Sequence, residues 1–280
     1  MFALSSVSRF RAAGIHLSLS ILIGLLTLAL MWFVWYPTPL FFGMGGNELA
    51  LLIVGVDIAL GPLATLVVFE TKKKPRNYLL FDLAVIAMLQ IAALAYGIHA
   101  MYQGRPVFTV FTGEHLAVVT TPEIDPDDLA KGQSEAFRTL SLTGPRLVAV
   151  EPPTDADASS MIAFAAFAGG GIQHFPQYYV PYADKRSEVL KAARPLADLE
   201  LVPEDQPLLE RYLRDSGRTI EQLRCLPVPT KKSQMTAIIN GSTGDLLEIL
   251  AIQPTLRQSS TADTQANFGQ HPQRSVLSAS

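Results

Sequence analysis

The chain has 280 residues, 49% hydrophobic and 17% charged, with a net charge of −3. Twenty-two Lys and Arg against 25 Asp and Glu leave no basic footprint for nucleic acid. Cys225 stands alone, which excludes an intrachain disulfide, and no Cys/His pattern has metal-ligand spacing, so no cofactor is expected.

The apolar residues are concentrated before Tyr102, in runs from Leu17 to Tyr36, Leu49 to Phe69 and Leu79 to Ile98. Each run is about 20 residues long and, at ~1.5 Å per residue, spans the ~30 Å hydrocarbon core of a bilayer. The pattern predicts three transmembrane helices, over residues 15–36, 49–69 and 78–99. A cleaved signal peptide is the competing reading of the first run. That run, however, is longer than a signal core and leads into "YPTPLFF" rather than a small-residue cleavage site. Buried helices of a soluble core are the alternative for the other two, but such helices seldom run so long with so few polar positions.

Charge sets the expected orientation. Arg9 and Arg11 precede the first helix, and Lys72, Lys73, Lys74 and Arg76 fill the loop at 70–77, whereas loop 37–48 has no Lys or Arg. The positive-inside rule places residues 1–14 and the basic loop in the cytoplasm, loop 37–48 outside, and residues 100–253 outside as a periplasmic domain. The basic cluster reads as a topology determinant in contact with membrane lipid headgroups. Trp32, Trp35 and Tyr36 read as an aromatic belt at the outer interface.

Asp57 is the unusual residue of the second helix, because an ionised Asp at mid-bilayer costs roughly 2.5–3.5 kcal/mol on insertion scales, so it must face a protein interior, have a partner or stay protonated. It lies 12 residues from Phe69, as Gln90 lies 12 residues from Tyr78. Antiparallel neighbours would therefore bring the two to one level, about 18 Å deep. Asp82 sits nearer the cytoplasm, level with Thr65 and within snorkelling reach of Lys74 or Arg76. Gly55 and Gly61 allow close backbone approach, and Pro62 removes a backbone donor and is expected to bend the helix. The second and third helices thus read as a hairpin with a polar seam, serving as structural glue or as a docking surface for another membrane helix. An ion path is the alternative, but it needs a chain of ionisable groups, and His16 and His99 are placed at opposite faces of the membrane.

Beyond residue 100 the pattern predicts an α+β domain. "PVFTVF" and "HLAVVT" read as a hairpin turning at Gly113, "DPDDLAKGQSEAFRTL" as a helix, and "GPRLVAVEPP" as a strand. "SSMIAFAAFAGGG", too short to span, reads as a buried helix stopped by glycines, with a surface that dips into the membrane or meets a partner as the alternative. An extended stretch and a helix through Leu190 follow, then a helix from about Pro207 to Leu223 and two or three strands turning at "NGSTGD". Residues 254–280 are rich in Ser, Gln and Thr and are expected to be disordered. No catalytic constellation emerges, so a binding domain is expected rather than an enzyme. A membrane-anchored enzyme acting on the envelope or on a partner is the competing class.

The block from Asp57 to Phe111 resembles the TfpX/TfpZ family of type IV pilin accessory proteins. The shared pattern is an acid before Gly-Pro-Leu, a basic loop, Asp-Leu opening the next helix, then Gln, Ala-Leu, Tyr-Gly and Arg-Pro. Here it falls on Asp57, Gly61, Pro62, Leu63, Asp82, Leu83, Gln90, Ala93, Leu94, Tyr96, Gly97, Arg105 and Pro106. The resemblance implies a multi-pass protein of a Gram-negative inner membrane that binds the major type IV pilin and assists pilus assembly without catalysis. Asp57, Gly61, Pro62, Asp82, Gln90, Arg105 and Pro106 are the candidates for helix packing or pilin docking.

Overall fold

A backbone in hydrocarbon has no water to bond to and must satisfy its own N–H and C=O groups, so the three apolar stretches form long helices. The computed structural model describes residues 9–70, 76–167 and 170–253; the expected tail at 254–280 and most of the basic loop lie outside these. Helix α1 spans Arg9–Leu30 and continues through a π-helical turn, Met31–Trp35. A short helix α2, Leu40–Gly43, precedes α3, Gly46–Glu70, and α4, Arg76–Gly104. The stretches long and apolar enough to cross a membrane are Phe10–Trp35, Gly46–Val68 and Asn77–Gly104. Their outward side chains, such as Leu22, Leu51 and Ile91, suit contact with lipid.

Helix α3 packs against both α1 and α4. Missing side chains set both approaches. A Cβ on Gly24 would stand 2.6 Å from Val54 Cγ1, and one on Gly97 would stand 2.8 Å from Ile53 Cγ2. Between Asn77 and Ala100, Gly97 is the one fully buried residue of α4, so this helix lies at the edge of the bundle.

The head begins directly after α4. One sheet has the order β2-β1-β3-β4, with β1 at Pro106–Phe111, β2 at Leu116–Thr120, β3 at Arg146–Val150 and β4 at Tyr179–Pro181. Strand β1 runs parallel to β3 and antiparallel to β2. The second sheet, order β5-β6-β7-β8, is antiparallel throughout: β5 Arg194–Pro195, β6 Leu223–Pro229, β7 Gln234–Asn240 and β8 Leu246–Leu250. The sheets face each other across Phe111, Leu116, Ala149, Leu226, Val228 and Ile239. Leu129 and Phe137, from the short helices α5 (Pro126–Ala130) and α6 (Glu135–Arg138), cover the outer face of the first sheet. Leu209 and Leu213 of α9 (Gln206–Ser216) cover the second. Strand β1 is therefore buried at every position, as expected for a strand covered on both faces.

Several expectations are corrected. The helix predicted over "DPDDLAKGQSEAFRTL" divides into α5 and α6, because Ser134 adopts an extended backbone and restarts the helix. Helix α7, Ala156–Phe167, is exposed rather than buried: Phe164 is 75% accessible, both sheet faces being already covered. Helix α9 ends at Ser216 instead of Leu223, where Gly217 turns left-handed at φ 64°. Tyr36, expected in an interfacial belt, is buried, and its hydroxyl donates to the Met101 carbonyl at 2.8 Å, tying α1 to α4.

Candidate docking site

On α3, Asp57, Gly61 and Thr65 recur every four residues, which sets them along one stripe of the helix. The stripe lies where the three long helices meet. From α4, Gln90 Nε2 donates to Asp57 Oδ1 at 2.9 Å, the pairing that equal depth implied. From α1, His16 Nδ1 shares a hydrogen bond of 2.6 Å with Thr65 Oγ1, and Thr65 is buried. Gly61 sits between these pairs: a side chain there would collide with the Gln90 amide and stand 2.9 Å from His16 Nε2.

His16 and Thr65 were not assigned to this cluster from the sequence. The available signal was the four-residue spacing from Asp57 through Gly61 to Thr65, which continues the polar stripe toward α1. Pro62 is half-buried, and α3 continues through it to Glu70. Asp82 is half-buried and lies eight residues before Gln90, about 12 Å nearer the start of α4.

Beside the Asp57–Gln90 bond, α3 and α4 diverge around a groove of about 450 Å³. Asp57, Gly61 and Gln90 lie along it, and Leu60, Leu89 and Tyr96 form apolar walls. Among the described residues, none donates to the second carboxylate oxygen of Asp57.

Arg105 and Pro106 lie at the joint between helix and head, and both are buried. Arg105 is 2% accessible; its Nε donates to Ser141 O at 3.1 Å and its Nη1 to Tyr102 O at 2.5 Å. Its guanidinium also lies 3.8 Å from the centroid of the Tyr102 ring, a cation–π stack. Pro106, buried, opens β1 opposite Thr120.

Loop 37–48 is more than a connection. Leu40 of α2 is buried in the core shared by the two sheets, and Phe41 packs with Met31, Tyr36 and Met101 at the end of the bundle. Lys232, between β6 and β7, donates its backbone N–H to Gly43 O at 3.1 Å and places its ammonium 2.6 Å from Glu48. Helix α2 is therefore a wedge that fastens the head to the bundle. It also puts loop 37–48 and the head at the same end of the three long helices.

The head has a cavity of about 660 Å³ lined by Glu114, His115, Arg194, Cys225 and Gln234. Burial pushes the Cys225 thiol up to about 11, which disfavours the reactive thiolate. Burial also lowers the pKa of His115 and of His174, opposed by Glu114 and Glu123 respectively. Tyr182 donates to Gly244 O at 2.9 Å across the sheets, and burial raises its pKa to about 12.

Fimbrial assembly proteins match this chain in sequence. The model for the fimbrial assembly protein FimB matches residues 5–45, covering α1 and the wedge rather than the block at 57–111. The fimbrial assembly protein of serogroup I from Dichelobacter nodosus is 31% identical over 231 residues, covering 82% of this chain and 89% of that protein. The serogroup E1 protein is 30% identical over the same shares. The protein of serogroups C1 and C2 is 34% identical over 119 residues, covering 42% of this chain and 90% of its own length. No solved structure matches. At 31% identity over 82% of this chain and 89% of the serogroup I protein, the chain belongs to the fimbrial assembly protein family.

Proposed function

We propose that this protein is an inner-membrane assembly factor that binds the major type IV pilin and assists its incorporation into the pilus by binding, not by catalysis. The observation that carries this reading is that one fold joins two surfaces. A groove in the membrane helices carries Asp57 and Gln90. A folded head is wedged onto the same helices through Leu40 and the Lys232–Glu48 ion pair. A subunit with an apolar anchor helix and a globular domain presents these two parts in the same order across the membrane. Membership of the fimbrial assembly family and the TfpX/TfpZ-like block favour a pilin as the partner.

The orientation that suits this role has the head in the periplasm, following the cations at positions 9, 11, 72–74 and 76. The test is co-purification from native membranes in mild detergent. The full-length tagged chain is expected to retain its cognate pilin, and absence of that pilin from the wild-type complex would overturn the reading.

A further inference from the structure

Where the first membrane span meets the head, the two enclose a pocket of about 410 Å³. Phe33 and Val34, in the last turn of the span Phe10–Trp35, form one wall. Phe33 is 82% accessible, so this wall is continuous with the apolar surface that suits contact with lipid. The polar side chains of the lining are Thr38 from loop 37–48 and Thr109, Thr143 and Glu248 from the head. Among the described residues, no hydrogen bond or ion pair engages their three hydroxyls or the Glu248 carboxylate. Thr38, Thr143 and Glu248 are exposed, but Thr109 is 3% accessible. It stands in β1 between Val118 and Leu147, at the border of the pocket. A buried hydroxyl nearly always has a partner, so this one points to a ligand that supplies it.

The lining has one carboxylate and no Lys or Arg. Hydroxyls can donate to phosphate or ester oxygens, and a carboxylate accepts from an ammonium group. A headgroup of net negative charge gains no cation here and meets the charge of Glu248. A zwitterionic headgroup brings both the cation and the acceptors. The membrane span in the wall gives such a lipid direct access from the bilayer.

We infer that the pocket holds the headgroup of a phospholipid of the phosphatidylethanolamine class, from the leaflet beside the head, with its ammonium at Glu248 and a phosphate oxygen accepting from Thr109. Its acyl chains run along α1 past Phe33. The lipid is then a third fastening of head to bundle, beside the wedge and the Lys232–Glu48 pair. The inference needs the membrane spans and not the pilin-binding role.

The experiment uses the full-length chain reconstituted in vesicles of equal parts phosphatidylethanolamine and phosphatidylglycerol. A photoreactive residue replaces Val34 in the pocket or, as a control, Leu25, which is exposed on α1 outside it. At Val34 the phosphatidylethanolamine adduct should exceed the phosphatidylglycerol adduct, and at Leu25 the two should be equal. With the probe at Val34, Glu248→Gln should lower that ratio by about 2- to 5-fold, as for an exposed ion pair. Thr109→Val should lower both adducts by about 2- to 10-fold and leave the ratio unchanged, because both lipids carry the phosphate. Thr109→Ser keeps the hydroxyl and should keep both adducts. If Thr109→Val does not fold, the ratio in Glu248→Gln, a change at an exposed position, decides the matter. Equal adducts at Val34, a ratio that Glu248→Gln leaves unchanged, or links only to a second copy of the chain would each overturn the inference. A folded Thr109→Val variant that links as well as the parent would overturn it too. Loss of pilin from the wild-type complex leaves it standing, since the vesicles contain none.

Discussion

Gln90 reaches Asp57 through the space that a side chain on Gly61 would fill, so the bond between α3 and α4 depends on a residue that takes no part in it. The same space lies beside His16 of α1, which makes Gly61 the common point of the three-helix packing.

Gly61→Ala is accordingly expected to push the flexible Gln90 amide aside and cost the bundle about 0.6–1.7 kcal/mol, the range of one membrane hydrogen bond. In a Gln90→Ala background the same change should cost less, because the smaller residue clears the collision. Thermal unfolding of the detergent-solubilised protein measures both. A Gly61→Ala variant as stable as the parent would show that the packing around Gly61 is looser than described.

Leu40 extends the same logic to the head. Leu40→Ala is expected to cost about 2–5 kcal/mol, as for a buried leucine whose site cannot collapse. The loss should appear in the head, seen as faster proteolysis of residues 100–253, and not in the helices alone. A head equally resistant in the variant would show that the wedge is dispensable.

The long helices were legible because their apolar runs match the bilayer, and the Asp57–Gln90 pair was legible because residue counting gives depth along antiparallel helices. Depth does not give azimuth. The contact of His16 with Thr65 depends on which side of α3 the first helix occupies, and nothing in α1 alone reveals that. Loop 37–48 was read by length and charge, although "PLFF" is apolar enough to be buried; its partners, around residues 228–239, lie nearly 200 residues away. The parallel pairing of β1 with β3 and the two-residue β5 escaped for the same reason, since local pattern carries strand existence but not partner choice. Arg105 was singled out by motif, and only the fold shows that Ser141 and Tyr102 enclose it.

The head should weaken in acid. Burial holds His115 and His174 below the usual 6.5, so the unfolded chain binds more protons in that range. The stability these histidines contribute is fully present above about 6.5 and is lost as pH falls through their lower folded values. Denaturant midpoints of the full chain should fall between about pH 7.5 and about pH 5, and a His115→Gln, His174→Gln double variant should flatten part of that slope. An unchanged slope in the double variant would assign the pH dependence to other groups.

Reporter fusions test sidedness. A periplasmic phosphatase fused after residue 75 should be inactive and one fused after residue 110 active if, as the positive-inside rule expects, Arg9, Arg11 and the 72–76 cluster stay on the cytoplasmic side. Activity at residue 75 would invert the protein and place the head inside.

Counting surface pili built from the cognate pilin, in cells lacking this chain and in cells with it restored, addresses the assembly role most directly. The loss should reduce or alter those pili while retraction and the core machinery persist, and the wild-type chain should restore them. Normal piliation with the cognate pilin in the complete absence of the chain would contradict a role in its assembly.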